Sequence, residues 1–131
     1  MGDRVQVGSI IYTVLETTWK AQLTDEPGSQ APKNRFLIVK LTITNSGKDE
    51  APIPPFTLIN TAGQSFNEIN DPKDDVPQWF GGLLRKLNAA QTQTGVVIFD
   101  VPLAAYKLKV TDGGDIDQEK FAYIDIPLQL Q

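Results

Sequence analysis

The chain of 131 residues carries 16 acidic against 12 basic side chains, a net charge of −4, and has no cysteine and no histidine. That length suits one domain, residues 1–131, able to bury about two-thirds of its unfolded surface without staples. The acidic balance disfavours nucleic acid and anionic lipid, and the missing residue types exclude disulfides, Ser-His-Asp and Cys-His nucleophile systems and the common zinc sites.

No apolar run approaches the ~20 residues of a membrane span. The first segment, MGDRVQVG, lacks the basic and apolar regions of a signal peptide. A cytosolic protein and an exported one with its leader trimmed both fit. Ser9 to Thr17 alternates Ile10, Tyr12 and Val14 with Ile11, Thr13 and Leu15, the first set inward. A long loop follows from Thr24 to Asn34, marked by Pro27-Gly28 and Pro32. Phe36 to Thr44 is the clearest strand: Leu37, Val39, Leu41 and Ile43 share one face, Lys40, Thr42 and Thr44 the other, and Asn45-Ser46-Gly47 ends it.

Lys48 to Pro55 reads as loop, and Phe56 to Ile59 as a short strand paired in a hairpin with Gln64 to Ile69 across Ala62-Gly63. Asn70 to Gln78, with Asp71, Asp74 and Asp75, reads as an exposed loop. Between Val76 and Leu87 the spacing of Trp79, Leu83, Leu84 and Leu87 allows one short helical turn, which Gly81-Gly82 keeps brief or broken. Thr94 to Val101 is apolar on both faces, as a central strand would be. Tyr106, Leu108 and Val110 then alternate with Lys107, Lys109 and Thr111. A turn at Asp112-Gly113-Gly114 leads to a last run with Ile124, Ile126, Leu128 and Leu130 on one side. Seven or eight short strands among Pro/Gly/Asn/Asp loops describe an all-β, antiparallel β-sandwich, with a closed barrel as the alternative.

The inventory for chemistry is thin. No serine sits in a Gly-x-Ser-x-Gly elbow and no glycine spacing cradles phosphate. Asp112, Asp115, Asp117 and Glu119 alternate somewhat as calcium ligands do, but the register and flanking helices of an EF-hand are missing, so a solvated hairpin turn is the favoured reading. Asp71, Asp74 and Asp75 are likewise read as a screened, solvated loop. Ala51 to Pro55 is stiff loop leading into a strand rather than a polyproline ligand. Trp79, Phe80 and Trp19 are the candidate binding residues, set against the plainer reading that a Trp near a loop plugs one end of a sandwich. No catalytic residue, metal ligand or cofactor site is read from the sequence.

The order of several segments carries a resemblance. Val14-Leu15-Glu16 comes first, then Phe36 through Asn45, then Phe56-Thr57-Leu58 followed by Ala62-Gly63 and Phe66. Thr94 through Pro102 and Tyr106-Lys107-Leu108 complete the series. Over nearly its whole length the chain resembles the bacterial domain-of-unknown-function family 4352, whose members look like immunoglobulin-fold domains of exported proteins and lipoproteins. Where such domains commonly carry a Pro-Gly-Glu-like turn, this chain has Asn88-Ala89-Ala90-Gln91. The resemblance implies an immunoglobulin-like sandwich and an extracellular or cell-envelope location, with a domain start near Gly2-Asp3 and no catalytic residues to carry over.

The expectation is therefore a non-enzymatic, exported domain that presents loops or a sheet edge to a protein partner. Carbohydrate recognition through Trp79 and Phe80 is the rival. An acid-only glycosidase would need two carboxylates converging in a cleft ~5–9.5 Å apart, and acids in exposed turns give no reason to expect that. Exposed edge strands are compatible with a monomer or a homodimer.

Overall fold

The computed structural model describes residues 4–21, 33–69, 79, 86–111 and 121–127. Ten strands lie among them: β1 (Arg4–Val7), β2 (Ile10–Lys20), β3 (Arg35–Asn45), β4 (Ala51–Pro52), β5 (Thr57–Ile59), β6 (Ser65–Asn67), β7 (Lys86–Leu87), β8 (Thr92–Val101), β9 (Tyr106–Thr111) and β10 (Phe121–Ile126). Two four-stranded antiparallel sheets, β1-β2-β3-β8 and β10-β9-β5-β6, form the layers of a β-sandwich; β4 and β7 make a separate short pair. No described residue is helical.

The alternation read from the sequence sets the layer contacts. Leu37, Val39, Leu41 and Ile43 of β3 are fully buried, as are Tyr12 and Val14 of β2. They meet Leu58 of β5, Leu108 and Val110 of β9, and Ile124 and Ile126 of β10 in one cluster shared by both sheets. Truncating one such side chain to alanine typically costs 2–5 kcal/mol. Tyr12 ties the layers together twice. Its ring packs edge-on against Phe56 at 5.6 Å between centroids, and its hydroxyl donates to the Thr111 carbonyl at 2.6 Å.

Three strands escaped the sequence reading. β1, with the sequence RVQV, pairs with β2 from Arg4↔Thr13 to Val7↔Ile10. β4 and β7 are two residues each, too short for any period to show. β4 lies in the segment expected to be loop, and β7 in the segment expected to hold a helical turn. Of the rest of residues 76–87 only Trp79 is described, and it makes a parallel bridge to Val96 instead of a helical turn.

A further correction concerns β8. Its two apolar faces pointed to a central strand, yet β8 ends the order of the first sheet. The reason is a second cover. The Ile69 N–H donates to the Ile98 carbonyl at 2.8 Å on the free edge of β8, and Trp79 bridges Val96 beside it. Ile38, Ile69 and Trp79 then pack over fully buried Phe36 and Ile98 on the outer face. Apolarity on both sides of a strand reports that both sides are covered, by whatever covers them.

Asn45 closes the end of β3. It is fully buried, and every polar group it has is engaged. Its side-chain amide donates to the Asp49 and Leu87 carbonyls at 2.8 and 3.2 Å, and its Oδ1 accepts from the Gly47 N–H at 2.9 Å. Its backbone exchanges hydrogen bonds with the Ala90 N–H and the Gln91 carbonyl. Buried Asn45 thus has its own polar groups satisfied while it ties two loops together.

Candidate functional site

The outer face of the second sheet combines exposed apolar surface with charge. In β10 the inward residues Ile124 and Ile126 alternate with Phe121, Tyr123 and Asp125, which point to solvent. Phe121 and Tyr123 are 54% and 46% exposed, unusual for side chains of this size. Their rings meet edge to face, 5.7 Å apart and inclined at 75°. Lys109 of the neighbouring strand sets its ammonium 4.8 Å from the Phe121 ring centre, a cation–π contact. The rings are therefore steeply inclined and one face of Phe121 is already taken, so the pair offers no flat stacking platform for a sugar.

At the foot of the same sheet lies a cleft of about 460 Å³, lined by residues 59–61, 105–107 and 125–127. Ile59, Lys107 and Asp125 form one row across β5, β9 and β10. Two hydrogen-bonded corners hold its walls. Around the β5–β6 turn, Asn60 Oδ1 accepts from the N–H groups of Ala62 and Gln64 at 3.0 and 2.8 Å, while its amide donates to the Gln64 side chain. Gly63, at φ +84°, supplies the left-handed residue that the turn requires.

On the other side, the Tyr106 hydroxyl donates to the Pro102 carbonyl at 2.6 Å. A tyrosine at the start of a strand, bonded a few residues upstream, has the form of the tyrosine corner of immunoglobulin-type sandwiches. Burial pushes the Tyr106 phenol pKa above its ordinary value.

The residues singled out by sequence lie elsewhere. Trp19 is half-buried and packs against the main core, its ring 6.4 Å from that of Tyr106. Trp79 is half-buried over Phe36 and Ile98, on the first sheet, with its indole N–H buried and without a hydrogen-bond partner among the described residues. Phe80, the acids of the 71–75 loop and those of the 112–119 segment lie outside the described residues.

Among the described residues no three acidic side chains gather as metal ligands. Asp100 has both carboxylate oxygens occupied by backbone N–H groups, those of Lys33 and Asn34. Buried Glu68 accepts from the Phe56 N–H at 2.6 Å. Both acids brace the backbone.

Sequence reasoning missed the Phe121–Tyr123 pair, although its signal was present. Phe121, Tyr123 and Asp125 are the odd-numbered members of a strand whose even-numbered members were assigned to the core.

The fold recurs in solved bacterial structures of low sequence identity. The yjhA protein of Bacillus subtilis is similar with a TM-score of 0.73 at 16% identity, over 95% of this chain and 97% of that one. A candidate lipoprotein of the same organism, ycdA, reaches a TM-score of 0.70 at 19% identity, over 95% of this chain but 38% of its own length. The secreted protein MPT63 of Mycobacterium tuberculosis reaches 0.59 at 13% identity, over 95% and 93% of the two chains. No curated protein matches the sequence. With the strand order and the segments from Val14 to Leu108 in place, the match over residues 1–122 is decisive, and the chain belongs to the family described as Domain of unknown function (DUF4352).

Proposed function

We propose that this domain is a non-enzymatic binding module of an exported protein, engaging a protein partner at the cell envelope through the outer face of its second sheet. The exposed Phe121–Tyr123 pair with Lys109 carries the reading. Large aromatic side chains cost little entropy to fix and dominate protein interfaces once water is excluded around them. Charge specifies the partner's surface. Lys107 and Lys109 outnumber Asp125 on β9 and β10, in a chain whose net charge is −4. A partner offering an apolar centre with an acidic rim complements that face. Export is supported by the secreted and candidate-lipoprotein character of two structural neighbours.

The test is a photo-crosslinking amino acid placed at position 123 in the native host, with position 94 on the opposite sheet as the control. The expected outcome is a discrete protein adduct from position 123 that is absent from position 94 and is lost with Phe121→Ser. Equal labelling from both positions, or none from either, would overturn the reading.

A further inference from the structure

We infer that the cleft at the foot of the second sheet binds a small zwitterion with an apolar side chain, an α-amino acid or a short peptide. This goes beyond the partner-binding face: Lys107 and Asp125 contribute charge to both, but the aromatic pair and Lys109 that carry the partner reading do not line the cleft.

Lys107 stands directly opposite Asp125 on neighbouring strands, whose backbones run about 4.8 Å apart. Opposite charges so placed attract each other weakly when they close. Among the described residues, however, these two are not joined as an ion pair. Both side chains are exposed, and both line the cleft. The cleft therefore presents an unclosed cation and an unclosed anion side by side.

That pairing selects the ligand by elimination. A simple anion drawn to Lys107 meets the Asp125 carboxylate, and a simple cation drawn to Asp125 meets the Lys107 ammonium. A neutral apolar molecule strips water from two charges and returns nothing. A zwitterion alone answers both, its carboxylate on Lys107 and its ammonium on Asp125, each contact being a charge-assisted hydrogen bond.

The remaining walls decide what the ligand carries between its charges. Ile59, Ala105 and Pro127 are apolar. Two nearby polar groups are already committed, the Tyr106 hydroxyl to Pro102 and the Asn60 amide to Gln64. Of the remaining side chains only the Thr61 hydroxyl is polar, so an apolar side chain lying against Ile59, Ala105 and Pro127 is favoured over a polar one. A volume of about 460 Å³ is at the small end of ligand pockets and has room for an amino acid or a dipeptide. The corners built by Asn60 and Tyr106 hold that shape in advance, which lowers the ordering cost of binding.

The experiment is a titration of isotope-labelled protein with L-leucine, followed by the backbone amide signals of Thr61, Lys107 and Ile126. Saturable shifts confined to the cleft are expected. N-acetyl-leucine and leucinamide, each lacking one charge, should bind at least about tenfold more weakly, as should Lys107→Met and Asp125→Asn with L-leucine. Both altered side chains are exposed, so unchanged thermal melts will show that the fold survives.

L-leucyl-L-leucine distinguishes the two sources: tighter binding than leucine assigns the cleft to peptides, weaker binding to free amino acids. Phe121→Ser should leave the titration unchanged while abolishing partner capture from position 123. Absence of shifts for both zwitterions up to about 10 mM, or equal binding of the blocked ligands, would overturn the inference.

Discussion

The phenol of Tyr106 is where packing, hydrogen bonding and ionisation meet in a single side chain. Its ring lies between Trp19 and Phe66, at 6.4 and 6.0 Å, and its hydroxyl latches the loop after β8 through Pro102. Desolvation raises its pKa above the ordinary 10.0, so the folded protein keeps the phenol neutral where an unfolded chain already ionises it. The contribution to stability is therefore complete below pH 10 and is lost as pH rises through the folded-state pKa. Tyr106→Phe should cost about 1 kcal/mol near neutral pH through the lost hydrogen bond. The gap to the wild type should narrow in urea melts taken above pH 10. A gap independent of pH would show that the phenol ionises freely in the folded state. Trp19 reaches this ring only because of an irregularity the sequence hides. The register of β2 slips between Val14 and Glu16, leaving Leu15 exposed and moving Thr17 and Trp19 onto the core face. Strict alternation from Ile10 would put Trp19 outside, and no sequence pattern marks the slip that turns it inward. Glu68 was illegible for a different reason: a carboxylate that accepts a buried backbone N–H has no sequence signature.

Among the elements, the longer strands were legible and the turns carried the surprises. Residues 88–91 form a turn in which the Gln91 N–H donates to the Asn88 carbonyl at 3.1 Å. Its third residue, Ala90, has φ 61°, in the left-handed region where the Cβ is crowded. The family's usual turn offers glycine near this point, and this chain departs from it there. The backbone is held in place nonetheless, since the Ala90 N–H donates to Asn45 and the Asn88 N–H to the Gln91 side chain. Left-handed alanine costs roughly 1–2 kcal/mol, and glycine gives back roughly 0.5–1 kcal/mol in unfolded-state entropy. Ala90→Gly should therefore stabilise the protein by about 0.5–1 kcal/mol, read as a higher urea midpoint with an unchanged slope. A lower midpoint would mean that the alanine methyl makes a contact worth more than the strain. β8 teaches the complementary lesson. Its two-sided apolarity was visible, but the identity of the cover was not, because Ile69 and Trp79 reach it from another part of the chain.

At the scale of the whole molecule, two hydrophobic clusters share the same strands. Leu37 and Phe99 belong to the main core, while their neighbours Phe36 and Ile98 belong to the outer cluster beneath Trp79. Because Phe36 and Ile98 alternate with core residues on the same strands, the outer cluster loses its floor whenever the sandwich opens. The reverse opening, Trp79 lifting away from an intact sandwich, uncovers Phe36 and Ile98 at about 1.5–3 kcal/mol each. That is a large part of the 5–15 kcal/mol that stabilises a typical domain. Denaturant discriminates further, because its leverage grows with the surface exposed. Global unfolding exposes far more than lifting one indole, so urea should reach the global transition first. The two tryptophans report the two clusters separately. In Trp79→Phe the fluorescence follows Trp19 and the main core; in Trp19→Phe it follows Trp79 and the outer cluster. Within each variant the fluorescence transition should coincide with the loss of strand signal by circular dichroism, as a two-state sandwich requires. If Trp79 fluorescence changes at lower urea than the strand signal does, the outer cluster is a separately melting cover and the sheets are stable without it.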